Sequence, residues 1–162
     1  MVCRKQAGSC AACVNSAYGN ISTPRDDKVN TGFLNLLSSK ELGYCNGTII
    51  YQLIDDLVFR INNDLIIIPK CFQTDLASVP RIPVVFLLWG DRAHREAVLH
   101  DYLYRVDAKP SVTKTAADCL FKEAMISRGQ PWSIYYPMWL GVKLCGGSAY
   151  HKLPVGYVFQ LD

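Results

Sequence analysis

Between Thr48 and Pro69 the apolar positions recur with a period near two. The runs "TIIYQL", "DLVFRI" and "DLIIIP" are rich in β-branched and aromatic residues, as expected of strands that turn one face to a core. Asn62 and Asn63 separate the last two runs, and asparagine tolerates the positive φ of a tight hairpin. This block predicts a small antiparallel sheet. Just before it, "TGFLNLLSSKEL" reads as one short helix closed by Gly43. After "CFQTDLASVPRIP", a loop punctuated by Pro80 and Pro83, the period changes to about 3.6 and helices are expected. The first runs from about Asp91 to Arg105 and ends before Pro110; the second runs from about Thr113 to Arg128. Thr113 or Ser111 serves the second as N-cap, and Gly129 with Pro131 stops it. A third helix covers "WSIYYPMWLGVKL", and the closing "GYVFQL" has the character of a strand returning to the sheet. Residues 1–30 are small, polar and aperiodic and read as an extended arm that packs on something, such as another chain. Residues 31–162 then form a single α+β domain, a small antiparallel sheet from the N-terminal half packed against two or three C-terminal helices.

Composition narrows the function classes. The 162 residues are 50% apolar and 19% charged, a globular balance that disfavours disorder and a coiled coil. The formal charge of +3 comes from scattered Lys and Arg, with no basic stripe to track phosphates, so nucleic acid is not an expected partner. The run Ile82 to Trp89 is interrupted by Pro83 and is far short of the roughly 20 residues of a membrane span. The first residues carry Arg4 and Lys5 but no apolar centre follows, so they are expected to be retained and the protein made in a cytoplasm. Seven cysteines at irregular spacing argue against a fully paired disulfide framework. Cys10 and Cys13 form a CxxC that Cys3 and Cys45 could complete around zinc, yet the second close pair of a structural zinc site is missing, which favours free thiols.

The chemistry concentrates in "VLHDYLYR", which sets His100 beside Asp101 in a run otherwise fit for a core. At about 100° per residue, Ala93, Ala97, His100, Asp101 and Tyr104 share one face of the first helix. On the second helix Ala117, Asp118, Phe121, Ala124 and Met125 do the same. Two helices joined by a short connection usually pack antiparallel, bringing His100 and Tyr104 against Asp118 and Phe121. A carboxylate on one imidazole nitrogen fixes the tautomer and leaves the other as a general base. Asp101 would point past the ring as a carboxylate suited to a hard cation such as calcium. From the spacing alone, a buried His–Asp bond that only specifies packing is the commoner account.

Two resemblances bear on that choice. "TDLASVPR", "AVLHDYLYR" and "AADCLFKEAM", in this order across Thr48 to Gly146, resemble the phage and prophage family called domain of unknown function 1353. That family name implies no activity, only an origin in tailed phages or prophages. More locally, HDxxY at His100 to Tyr104 followed by ADxxF at Ala117 to Phe121 resembles phospholipase A₂, above all the form embedded in parvovirus capsid proteins. That resemblance implies His100 as the base that activates water, Asp101 as a calcium ligand, and Asp118 and Tyr104 as supports of the His. The upstream "TDLASVPRIP" lacks the glycines of that family's calcium loop, so Asp75 and carbonyls around Leu76 to Ser78 would have to serve.

Other features carry less. His94 and His100, six apart, are wrongly spaced for shared metal ligation on a helix, where i, i+4 is the useful spacing, and His94 is expected at the surface. His151 has no partner suggested by the sequence, and Ser78 lacks a nucleophile elbow. Trp132, Tyr135, Tyr136 and Trp139 could form a patch for lipid, but helical spacing favours core packing. Three functions remain in view. The first is a phage-encoded, calcium-dependent lipid esterase using His100 and Asp118; the second is a non-catalytic tail or capsid component, made in the host cytoplasm and docked on other virion proteins; the third is an intracellular effector that binds a host protein.

Overall fold

The computed structural model describes residues 31–76 and 93–162. The N-terminal arm, the CxxC and Ser78 lie outside them. Six strands come first: β1 (Gly32–Phe33), β2 (Ser39–Cys45), β3 (Thr48–Leu53), β4 (Leu57–Ile61), β5 (Asp64–Ile68) and β6 (Gln73–Thr74). Three helices follow among the described residues: α1 (His94–Leu103), α2 (Lys114–Ser127) and α3 (Trp132–Cys145), the last running into a 3₁₀ turn at Gly146–Ser148. The arrangement is α+β.

The strands sort into two three-stranded antiparallel sheets, in the orders β1-β4-β5 and β2-β3-β6. The Asn62–Asn63 hairpin forms as its sequence predicts, with Asn62 at φ 54°. Along β4 the buried Leu57, Phe59 and Ile61 alternate with half-buried Val58 and Arg60, which is the two-residue period at work.

The helix expected over "TGFLNLLSSKEL" is not present. Its first residues form β1 and its last belong to β2, with Leu34 and Leu36 exposed between them. Strand pairing wins because the backbones of β3 and β4 each have an edge to satisfy, which β2 and β1 do with ladder hydrogen bonds. The decisive local signal is Asn46–Gly47, with φ of 49° and 72°. Two successive positive φ values make the tight hairpin turn that joins β2 to β3.

Helix α1 starts at His94 and ends at Leu103, within the predicted span, of which Asp91 and Arg92 lie outside the described residues. Helix α2 matches its prediction closely: the Thr113 side chain accepts from Ala116 N at 3.3 Å as N-cap, and Arg128 closes the helix before Gly129. The C-terminal "GYVFQL" does not form the expected strand: Gly156 lies in a turn, and the residues after it reach the second sheet without joining its ladder. Its contacts are Phe159 N to Gln73 Oε1 at 2.9 Å and Asp162 N to Tyr44 O at 2.8 Å.

Most of α1 is buried, not one face alone. Leu99, Tyr102 and Leu103 meet Leu57, Phe59, Ile66 and Ile68 of the strands, together with Ala117, Leu120 and Ala124 of α2. Phe121 and Met125 of α2 pack instead with Ile134, Met138 and Val142 of α3. Helix α2 is therefore the shared wall between two cores, and its polar residues must find partners inside the protein.

Candidate functional site

Helices α1 and α2 run antiparallel, because Glu96 near the start of α1 meets Arg128 at the end of α2, while Tyr104 past the end of α1 meets Asp118 in α2's second turn. This packing brings together three of the residues singled out by sequence. His100 Nε2 lies 2.9 Å from Asp118 Oδ1, and the Tyr104 hydroxyl donates to the same oxygen at 2.6 Å. The other carboxylate oxygen accepts from Lys114 Nζ at 2.8 Å. Lys114 spends its remaining donors on the carbonyls of Val142 (3.3 Å) and Lys143 (3.1 Å), near the C-terminal end of α3.

Burial alone would push Asp118 up. The donors His100, Lys114 and Tyr104 outweigh it and hold the carboxyl below its ordinary range. Burial pushes His100 down, against the pull of Asp118, so the imidazole is held neutral. Because an ionised carboxylate only accepts, the hydrogen of the neutral ring sits on Nε2 and Nδ1 carries the lone pair. Among the described residues Nδ1 has no hydrogen-bond partner, although it is buried. A donor is what that atom lacks, and an activated water or hydroxyl would supply one.

His100 also lines a cavity of about 480 Å³, together with Asp101, Tyr104, Arg105, Asp75, the end of α3 and the C-terminal tail. Gly146 makes the wall possible. A Cβ there would lie 2.5 Å from the Tyr104 hydroxyl, so only glycine lets that hydroxyl reach Asp118 undisturbed. Tyr104 is also braced edge-on by Tyr150, on which His151 stacks at 3.8 Å, giving His151 the partner its sequence did not suggest.

Asp101 turns away from the His–Asp bond, as the helical step predicts, and accepts a hydrogen bond from the Thr74 hydroxyl of β6. Burial, then the nearby negative charge of Asp75, pushes its carboxyl up to about 8, with Thr74 and Arg105 pulling the other way. Two carboxylates repelling one another in a partly closed cavity are a donor set of hard oxygens. A divalent cation would relieve that repulsion and displace the Asp101 proton, so the residues suit calcium in kind. They fall short in number: among the described residues no group of three or more His, Cys, Asp or Glu is placed to hold a metal.

His94 is half-buried at the start of α1 and is not part of the cavity wall. Of the four aromatics on α3, Tyr135 and Trp139 pack against the second core while Trp132 and Tyr136 are exposed. Sequence reasoning missed Lys114, although Lys114 and Asp118 at i, i+4 are a readable pair. It also missed Thr74, Arg105 and the tail, which reach the cavity through tertiary contacts alone.

Residues 51–142 match the model of a family described as "Protein of unknown function (DUF1353)". The chain belongs to that family. The match spans β3 through most of α3 and so takes in His100, Asp101, Tyr104, Lys114 and Asp118. No curated protein and no solved structure matches this DUF1353 chain.

Proposed function

We propose that the protein is a phage-encoded lipid ester hydrolase, assisted by calcium, in which His100 is the general base. The observation that carries this reading is the state of His100: Nε2 is tied to Asp118, and Nδ1 is left without a partner among the described residues, in a ring that lines a cavity. Asp118 orients the ring and stabilises its protonated form. Tyr104 and Lys114 hold Asp118 ionised and in place. His100 Nδ1 takes the proton of a water as it attacks the acyl carbonyl, and returns it to the leaving alkoxide. A calcium ion held by Asp101 and Asp75 would supply positive charge to the developing oxyanion.

The test is release of fatty acid from mixed phospholipid micelles, with calcium or chelator, beside His100→Gln. Release that requires both calcium and His100 supports the hydrolase. If wild type and His100→Gln are equally inert across lipid classes, the reading fails.

A second reading is favoured by one feature. Asp118 is fully satisfied by donors from both helices and, through Lys114, by a link to α3, as expected of a cluster that specifies packing. In that case the protein is a non-catalytic component of a phage particle, made in the bacterial host cytoplasm, and its partners are other virion proteins. Among the described residues no helix is long and apolar enough to cross a membrane.

A further inference from the structure

Helix α3 buries only one side. Ile134, Met138, Gly141 and Val142 face inward, while Trp132, Tyr136, Leu140 and Leu144, spaced four apart, are exposed; Trp132 and Leu144 are each 72% accessible. At about 100° per residue these four form a stripe about 120° wide, opposite the buried side. Large apolar side chains so aligned at the surface mark a place where something binds.

We infer that this stripe is a docking surface for an anionic phospholipid bilayer, laying α3 along the lipid. The proposal rests on the lipid-ester reading above. Two observations select this occupant. Helix α3 carries no carboxylate, and its cations are placed at the aromatics: Lys143 Nζ is 4.8 Å and Lys122 Nζ of α2 5.0 Å from the centre of the Trp139 ring. Lysines beside Trp and Tyr suit the boundary between acyl chains and acidic headgroups. Lys114 joins the Val142 and Lys143 carbonyls to Asp118, so the docking helix is linked through one ammonium group to the carboxylate that orients His100.

Size argues against a second copy of the chain. From Trp132 to Leu144 the helix advances about 18 Å, which at about 10 Å wide is roughly 200 Å², well short of the roughly 800 Å² per partner of a stable protein interface. A bilayer needs no such area, because it accepts side chains one by one and adds the attraction of its charge.

The full-length chain is mixed with vesicles of phosphatidylcholine alone or with phosphatidylserine added, and partitioning is read by flotation and by the tryptophan emission shift. Wild type should bind, more tightly to the anionic vesicles. Trp132→Ser with Leu144→Ser should lose about tenfold or more in partitioning while keeping the wild-type Tm, because both side chains are exposed. Lys143→Glu should weaken binding to anionic vesicles only. Three results would overturn the proposal: no binding of wild type to either vesicle, unchanged binding by the double variant, or self-association of wild type that the double variant abolishes. Vesicle binding without fatty acid release would sink the hydrolase and leave the surface standing. Release from a soluble short-chain ester without vesicle binding would do the reverse.

Discussion

The seam between α1 and α2 contains two buried polar pairs, one toward each end, and they solve the same problem differently. Toward one end, Glu96 is fully buried and both its oxygens accept from Arg128 Nη1 at 3.1 Å. Burial pushes its carboxyl up and Arg128 pulls it back. Toward the other end, His100 meets Asp118 with Tyr104 and Lys114 in support, yet among the described residues one nitrogen of this cavity-lining ring has no partner. The first pair closes its own electrostatic account. The second keeps an atom able to do chemistry. A buried charge is thus weak evidence of a site; an unsatisfied atom on a ring that lines a cavity is stronger.

The sharpest way to break the comparison is His100→Gln, which under the hydrolase reading should lower turnover by about 10²–10⁴-fold, whereas Glu96→Gln should leave turnover near wild type. Fatty acid release by the two variants side by side decides between them. Next in size, Asp118→Ala should destabilise by about 3–5 kcal/mol, because it strands a buried imidazole and a lysine that has lost its counter-charge. Glu96→Ala should cost less, about 1.5–3 kcal/mol, since Arg128 is a third exposed and can turn to water. Urea unfolding of both variants would check the order.

A smaller effect is expected from Gly146→Ala. The new methyl would displace the Tyr104 hydroxyl from Asp118 and cost about 1–3 kcal/mol by overpacking. Adding Tyr104→Phe should remove part of that penalty, a non-additivity that a double-mutant cycle would detect.

The smallest effects concern pH. Asp101 is raised from 3.8 to about 8, so between those values the folded chain holds a proton that the unfolded chain has released, and stability falls as pH rises through that window. His100 works in the other direction. Its pKa is lowered from 6.5, so below 6.5 the unfolded imidazole gains a proton that the folded one refuses, and stability falls as pH drops. In chelator, Tm should therefore decline between about pH 6.5 and 8, and Asp101→Asn should flatten that decline. If Asp101 and Asp75 hold calcium, added calcium should restore Tm most near the upper end of the window, in wild type and not in Asp101→Asn.

Much of this was legible in local pattern. The alternation in β4 and the Asn62 turn identified a hairpin, and Thr113 with Gly129 bracketed α2. The helical faces of His100 and Asp118 were readable for the same reason, since side-chain direction follows from a fixed rise and turn. The "TGFLNLLSSKEL" stretch misled because its leucines suit a helix locally, while the Asn46–Gly47 turn and the edges of β3 and β4 decide otherwise.

The sequence by itself determined the periodic elements, the His100–Asp118 pairing and the family, because each depends on spacing within one element or between two neighbours. Only the tertiary structure decided that Lys114 ties α3 to Asp118, that Gly146 admits the Tyr104 hydroxyl, and that His100 lines a cavity. These depend on contacts between residues far apart in the chain, where the packing of whole elements, and no repeat along the sequence, sets which atoms meet.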